Sequence, residues 1–220
     1  MTNPVPQNDS RASKVPGGRR LLVIGVAALV AVGLAIPAAI FGPQLVGLGQ
    51  PANEAPSNPA PAAASPDPAA LTEFRNEQVG FALSYPSSWV QRQANDPQIL
   101  LSASDASEKS AFLVRAVELP QTVGQQELEA AKELTDRIVG ANPSAKLLFE
   151  PRALELAGLP GYWYFYSFKD DTSGQQGAHS HYFLFKGKTM LSFVFQTIPL
   201  EEFSKSAADF DQITSSLRTL

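Results

Sequence analysis

Between Leu21 and Phe41 the chain runs for 21 residues, LLVIGVAALVAVGLAIPAAIF, without one charged side chain. A helix of that length crosses the roughly 30 Å of hydrocarbon in a bilayer. Residues 21–41 therefore read as a transmembrane helix. Pro37 sits near the far end, where a membrane helix tolerates the loss of one backbone donor. Arg11, Lys14, Arg19 and Arg20 all precede the run, against the single acid Asp9. By the positive-inside rule residues 1–20 form a cytoplasmic basic tail and the rest lies outside the cytoplasm. A tail of that length is too short for a signalling domain. The competing reading is a cleaved secretory signal with a small-x-small site at Gly33-Leu34-Ala35, which leaves the bulk of the chain outside as well.

Residues 42–70 are Pro/Ala-rich and hold almost no bulky apolar side chain after Gln50. They read as a linker, a stalk of extended polyproline-like chain or plain disorder, and not as part of a core. The folded unit is then 71–220. Its 18 acids against 13 bases make it net negative, which disfavours binding to nucleic acid. The chain has no cysteine, so disulfides, thiolate metal sites and a cysteine nucleophile are excluded.

Within 71–220 the alternation of apolar and polar residues predicts strands at 80–85, 98–104 and 111–119. The spacing of Leu128, Ala131, Leu134 and Ile138 then predicts a helix that stops at Gly140. Further strands are expected at 145–156, 161–168, 179–185 and 190–197, several of them apolar on both faces and so covered on both sides. Phe203, Ala207, Phe210, Ile213 and Leu217 recur at helical spacing and predict a final helix docked on the sheet. The fold class is α+β, a mostly antiparallel sheet sandwiched by helices. In GFALSYPSSW, Phe81, Leu83 and Tyr85 share a strand face, Pro86 ends pairing, and Trp89 is read as a plug over the sheet end.

Chemistry is thinly signalled. His179 and His181, the two histidines, stand two apart on a strand and share a face, a spacing able to hold a metal. A hairpin closing near Gln175 would bring Asp171 across from His179 as a third ligand. Residues 182–188 lack the glutamate of a cupin pattern, and the chain has no Gly-x-Ser-x-Gly elbow, phosphate loop or His-Glu-x-x-His helix. No catalytic residue and no cofactor is called, and the weak metal candidates are His179, His181 and Asp171. The run Gly161-Tyr162-Trp163-Tyr164-Phe165-Tyr166 is expected to give one face to the core and the other to a partner.

The strand VGFALSYPSSWV, together with LPGYWYFYSF leading into HYFLFKGKTMLSFVFQT, resembles the PsbP-like superfamily. Its members open on a Gly-Phe-x-Leu-x-Tyr-Pro-x-x-Trp strand and close on a helix after the last aromatic strand. They include the extrinsic protein of the oxygen-evolving complex, a nuclear Ran-binding protein, and secreted or anchored bacterial proteins. The resemblance implies a binding or assembly module more often than an enzyme. An anchor and stalk in place of a transit peptide depart from the photosynthetic branch and look like a bacterial envelope protein. The expectation is a single-pass cell-membrane protein that meets a protein partner in the envelope, with a metal-dependent enzyme or sensor built on His179 and His181 as the alternative.

Overall fold

The computed structural model describes residues 70–220, so the expected tail at 1–20, the expected membrane helix at 21–41 and almost all of the expected linker at 42–70 lie outside the described residues. Among the described residues no helix is long and apolar enough to cross a membrane. The elements are β1 (Leu71–Asn76), β2 (Phe81–Pro86), β3 (Val90–Gln91), β4 (Ile99–Ser104), β5 (Ser110–Val123), α1 (Leu128–Gly140), β6 (Lys146–Leu147), β7 (Arg152–Leu156), β8 (Leu159–Lys169), β9 (Gln176–Thr197), α2 (Phe203–Ser215) and β10 (Arg218–Thr219). A 3-10 turn at Leu200–Glu202 leads into α2.

The continuous strand β9 is a hairpin. His181 Nε2 lies 2.5 Å from Ser192 Oγ, whereas eleven residues of straight strand would separate them by roughly 36 Å. The chain turns at Lys186 and Gly187, and Gly187 takes the left-handed φ of 61° that such a tight turn demands. The first arm pairs antiparallel with β8, the second with β5. The two strands expected at 179–185 and 190–197 are these arms. β3, β4 and β5 continue the sheet on one side, β8 with β6 and β7 on the other, and every pairing between these elements is antiparallel.

β2 does not join this sheet, although the reading of an early strand at 80–85 holds. It forms a second sheet of three strands with β1 and β10. The cause is its side chains: Phe81, Ala82 and Leu83 are all fully buried, so the strand must be covered on both faces. The expected single sheet between helices is thus corrected to a large sheet with α1 on one face, and α2 together with the small sheet on the other. The expected strand at 145–156 is likewise two short pieces, β6 and β7, separated by Leu148-Phe149-Glu150-Pro151.

Each face has its own core. Phe112 and Val114 of β5, and Leu191, Phe193 and Phe195 of β9, pack against Phe81, Leu83 and Tyr85 of β2 and against Phe210 and Ile213 of α2. Trp89 belongs to this cluster, 5.9 Å from the Phe112 ring and edge-on to Phe210 at 6.1 Å. It plugs the core between the large sheet and α2. On the opposite face Val117, Tyr162, Tyr164, Phe183, Phe185 and Met190 meet Leu128, Ala131, Leu134 and Val139 of α1. The buried stripe of α1 is rotated from the expected one, with Thr135 and Val139 inside and Ile138 only half-buried. Tyr164 sets the rotation by donating to Asp136 Oδ1 at 2.7 Å and meeting Thr135 Oγ1 at 2.7 Å.

Trp89→Ala removes the ring packed between Phe112 and Phe210 and is expected to cost about 3–5 kcal/mol. Val90→Ala, next to it but 46% exposed, is expected to stay within about 0.5 kcal/mol. Urea unfolding of both variants, followed by circular dichroism, checks the pair.

Candidate functional site

His179 and His181 do share one face of the sheet, and that face is the one under α1. Both are buried, at 5% and 2% exposure, and both line a cavity of about 230 Å³. The cavity opens where α1 ends. The helix covers the sheet as far as Gly140, while β8 and β9 run on beyond it. Leu113, Val117, Val139, Phe168, Phe183 and Met190 give its apolar walls, and Arg115, Ser192 and Gln196 its polar ones. Ala141, Pro143, Lys169 and Asp171 are the exposed lining residues and mark its mouth.

The polar groups form one chain of hydrogen bonds with a fixed direction. Gln196 Oε1 can only accept, so His179 Nε2–H donates to it at 2.7 Å. His179 Nδ1 is then an acceptor and takes the Tyr166 hydroxyl proton at 3.1 Å. The Tyr166 oxygen accepts in turn from His181 Nδ1–H at 3.2 Å. That leaves His181 Nε2 to accept from the Ser192 hydroxyl at 2.5 Å. Every nitrogen of both neutral rings is satisfied.

Burial reinforces the neutral state. Desolvation lowers the His179 pKa to about 4, with the bond to Gln196 opposing it in part. His181 is held well below the ordinary imidazole range by desolvation, with the neighbouring His179 adding to the effect. The Tyr166 hydroxyl, buried between them, is raised far above 10 by the same desolvation. These groups are uncharged near neutral pH.

The expected third ligand is not where a metal would need it. Tyr166, not Asp171, stands across from His179 in the β8–β9 register. Asp171 sits in the following turn, exposed at the mouth. The β8–β9 loop is centred between Thr172 and Ser173 rather than near Gln175, and this moves the register. Among the described residues no three His, Cys, Asp or Glu side chains group as a metal site. Gln196, Ser192 and Arg115 are absent from the sequence expectations, and Tyr166 enters them only in the aromatic run. A hairpin centred on Lys186-Gly187 would have put Ser192 opposite His181. Arg115, an isolated charge in the apolar strand FLVRAV, was a second usable signal.

A different feature lies on the outer edge. Trp163 and Phe165 alternate with Tyr162, Tyr164 and Tyr166 along β8, and so point away from α1. They stack with planes 8° apart and centroids 6.0 Å apart, and Phe149 lies 6.3 Å and 5.8 Å from them. Phe203 at the start of α2 abuts Phe165 at 4.6 Å. Arg152 stands over the Trp163 ring, 5.7 Å from its centre. Phe149 is 53% exposed and its neighbours Leu147 and Leu148 are 51% and 42% exposed.

With the geometry in hand, the fold can be compared with solved structures. The cyanobacterial PsbP, CyanoP, of Synechocystis sp. superposes with a TM-score of 0.53 at 14% identity, covering 73% of this chain and 98% of that one. The domain has the PsbP-like fold. Two further structures with this PsbP-like architecture score lower. LpqN of Mycobacterium tuberculosis, described as involved in cell envelope biogenesis, gives 0.43 at 12% identity over 69% of this chain and 91% of that one. The Ran-binding protein Mog1p of Saccharomyces cerevisiae gives 0.45 at 9% identity over 68% and 95%. No family model and no curated protein matches the sequence.

A histidine kept neutral by the fold takes up its proton in the unfolded chain first, between about pH 6.5 and the folded value. Acidification from pH 7 toward 4 therefore favours unfolding through His179, by an amount on the order of 3 kcal/mol at the low end. Two-bond ¹H–¹⁵N spectra of the labelled protein are expected to show two neutral imidazoles from pH 8 to about 5. Imidazolium signals growing in near pH 6.5 would contradict the network.

Proposed function

We propose that this chain is a membrane-anchored binding or assembly module of the bacterial cell envelope. Residues 21–41 anchor it, residues 1–20 stay in the cytoplasm, residues 42–70 serve as a stalk, and the PsbP-like domain works outside the cytoplasm. The observation that carries the reading is the aromatic edge built from Phe149, Trp163 and Phe165, continued by Leu147 and Leu148. An interface core is rich in aromatic side chains and arginine, and contacts of this kind supply most of the energy in protein–protein binding. Here three neighbouring rings stand together with an arginine over one of them. The uncharged run before the domain supports placing that edge at the envelope side of a membrane.

The partner is a protein, recognised by side chains at this edge. A photo-crosslinking residue placed at Leu148 in the full-length chain is expected to capture a discrete envelope protein in native membranes, and the same residue at Val90 is not. Phe149→Asp places a charge at the centre of the patch, on a side chain that is more than half exposed. Loss of a central aromatic anchor typically costs about 2 kcal/mol or more, or about thirtyfold in affinity, so the variant is expected to lose the crosslink at unchanged expression. Equal capture by wild type and Phe149→Asp would sink the assignment.

Topology has a separate check. Alkaline phosphatase fused after Leu220 is expected to be active in intact cells, and fused after Arg20 it is expected to be inactive.

A further inference from the structure

The cavity beside the histidines holds two donors that the protein itself leaves without an acceptor. Arg115 spends Nε and Nη2 on Gln98 Oε1, at 3.1 and 2.5 Å, and pairs Nη2 with Asp96 Oδ2 at 3.1 Å. Among the described residues no acceptor meets its Nη1. Gln196 uses Oε1 for His179, and no acceptor among the described residues meets its Nε2. Both side chains are only 5% exposed and both line the cavity. Neither atom is sealed from solvent, so each can meet an acceptor that arrives from outside the protein. Their common place to find an acceptor is the cavity.

The rest of the lining says what would carry that acceptor. The walls are aliphatic and aromatic, from Leu113, Val117, Val139, Phe168, Phe183 and Met190. A dry apolar cavity of about 150 Å³ takes a benzene-sized molecule, and the 230 Å³ here leaves room for one small polar group beyond it. Charge decides between a carboxylate and a carbonyl. Arg115 is already neutralised by Asp96, the mouth offsets Lys169 with Asp171, and both imidazoles are uncharged. The carbonyl end of α1 borders the opening and is the negative end of its dipole. A carboxylate would shed its hydration into a site with no net positive charge, at a cost that an uncharged carbonyl escapes.

We infer that this cavity is a binding site for a small apolar molecule, of single-ring or branched-chain size, bearing one uncharged carbonyl that accepts from Gln196 Nε2 and Arg115 Nη1. The site lies on the opposite face of the sheet from Phe149, Trp163 and Phe165, and the inference stands independently of the partner-binding edge.

The probes are 4-fluoroacetophenone, 4-fluorobenzoate and 4-fluorotoluene, matched in ring and differing in the acceptor. Each is titrated by ¹⁹F NMR against full-length protein in mild detergent. Ala141→Trp, a substitution at an exposed residue of the mouth, serves as the blocked reference. Saturable, submillimolar binding of 4-fluoroacetophenone is expected in the wild type, lost in Ala141→Trp and about tenfold tighter than either other probe. Gln196→Glu keeps the acceptor for His179 and removes the free donor, so it is expected to weaken the ketone about tenfold, with thermal unfolding confirming that it folds. Binding of 4-fluorotoluene as tight as the ketone would reduce the cavity to an apolar void and overturn the inference. Benzoate binding tighter than the ketone, or ketone binding unchanged by Ala141→Trp, would overturn it as well.

Discussion

The hairpin of β9 is apolar on both faces, and neither face can be left to water. Leu184, Leu191, Phe193 and Phe195 point one way, and Phe183, Phe185 and Met190 the other. A central hairpin of this kind needs two lids, and the chain supplies them from far apart in sequence. α1 comes from the crossover between β5 and β6. α2 follows directly on the hairpin and is joined by a small sheet made from the two ends of the domain. Lys186 at the hairpin tip ties the arrangement together by donating to Val79 O at 3.0 Å and Gly80 O at 2.6 Å. A side chain in the turn of the large sheet thus holds the entry of the small one.

The two lids are unequal in reach, and this creates the cavity. α1 has thirteen residues, about 20 Å of helix, while the arms of β9 and the strand β8 run past its C-terminus. Beyond Gly140 the sheet face has no helix over it, and there the side chains change from Phe183 and Phe185 to His181, His179, Ser192 and Gln196. Polar groups under a partial lid must satisfy one another, since an unpaired buried donor costs more than the bond contributes when made. The directed chain from Ser192 through Tyr166 to Gln196 is that solution. It also makes the histidines poor metal ligands, because each ring nitrogen is already engaged.

Much of this was written in the sequence, unevenly. Period-two alternation in 80–85, 111–119 and the two arms of β9 located strands, and the 3.6 period of Phe203, Phe210 and Ile213 located α2. Local periodicity cannot say which strands share a sheet. β2 looks like the first strand of one sheet and belongs to another, paired with β1 just before it and with β10 more than 130 residues away. The site was legible only as far as His179 and His181 sharing a face. Its remaining members come from β5, β8 and the second arm of β9, and only a fixed register brings them together. Asp171 is not across from His179 for that reason, the β8–β9 loop being centred between Thr172 and Ser173 so that Tyr166 takes the position expected for it.

The aromatic run of β8 shows how one periodicity can serve two surfaces. Tyr162, Tyr164 and Tyr166 anchor α1 and the histidine network, while Trp163 and Phe165 face the side that α2 covers only in part, at Phe203. The neighbouring strand is an edge, and an exposed apolar edge invites pairing with a foreign strand. Here the edge is broken: β6 has two residues, Pro151 lacks a donor, and β7 resumes only at Arg152. Main-chain addition is thereby blunted at the point where Phe149 and the exposed leucines stand. What such an edge offers is side chains, with rings already stacked and so little rotamer freedom left to lose on contact. Recognition at this surface is therefore governed by ring packing and by the Arg152 guanidinium over Trp163, rather than by extension of the sheet.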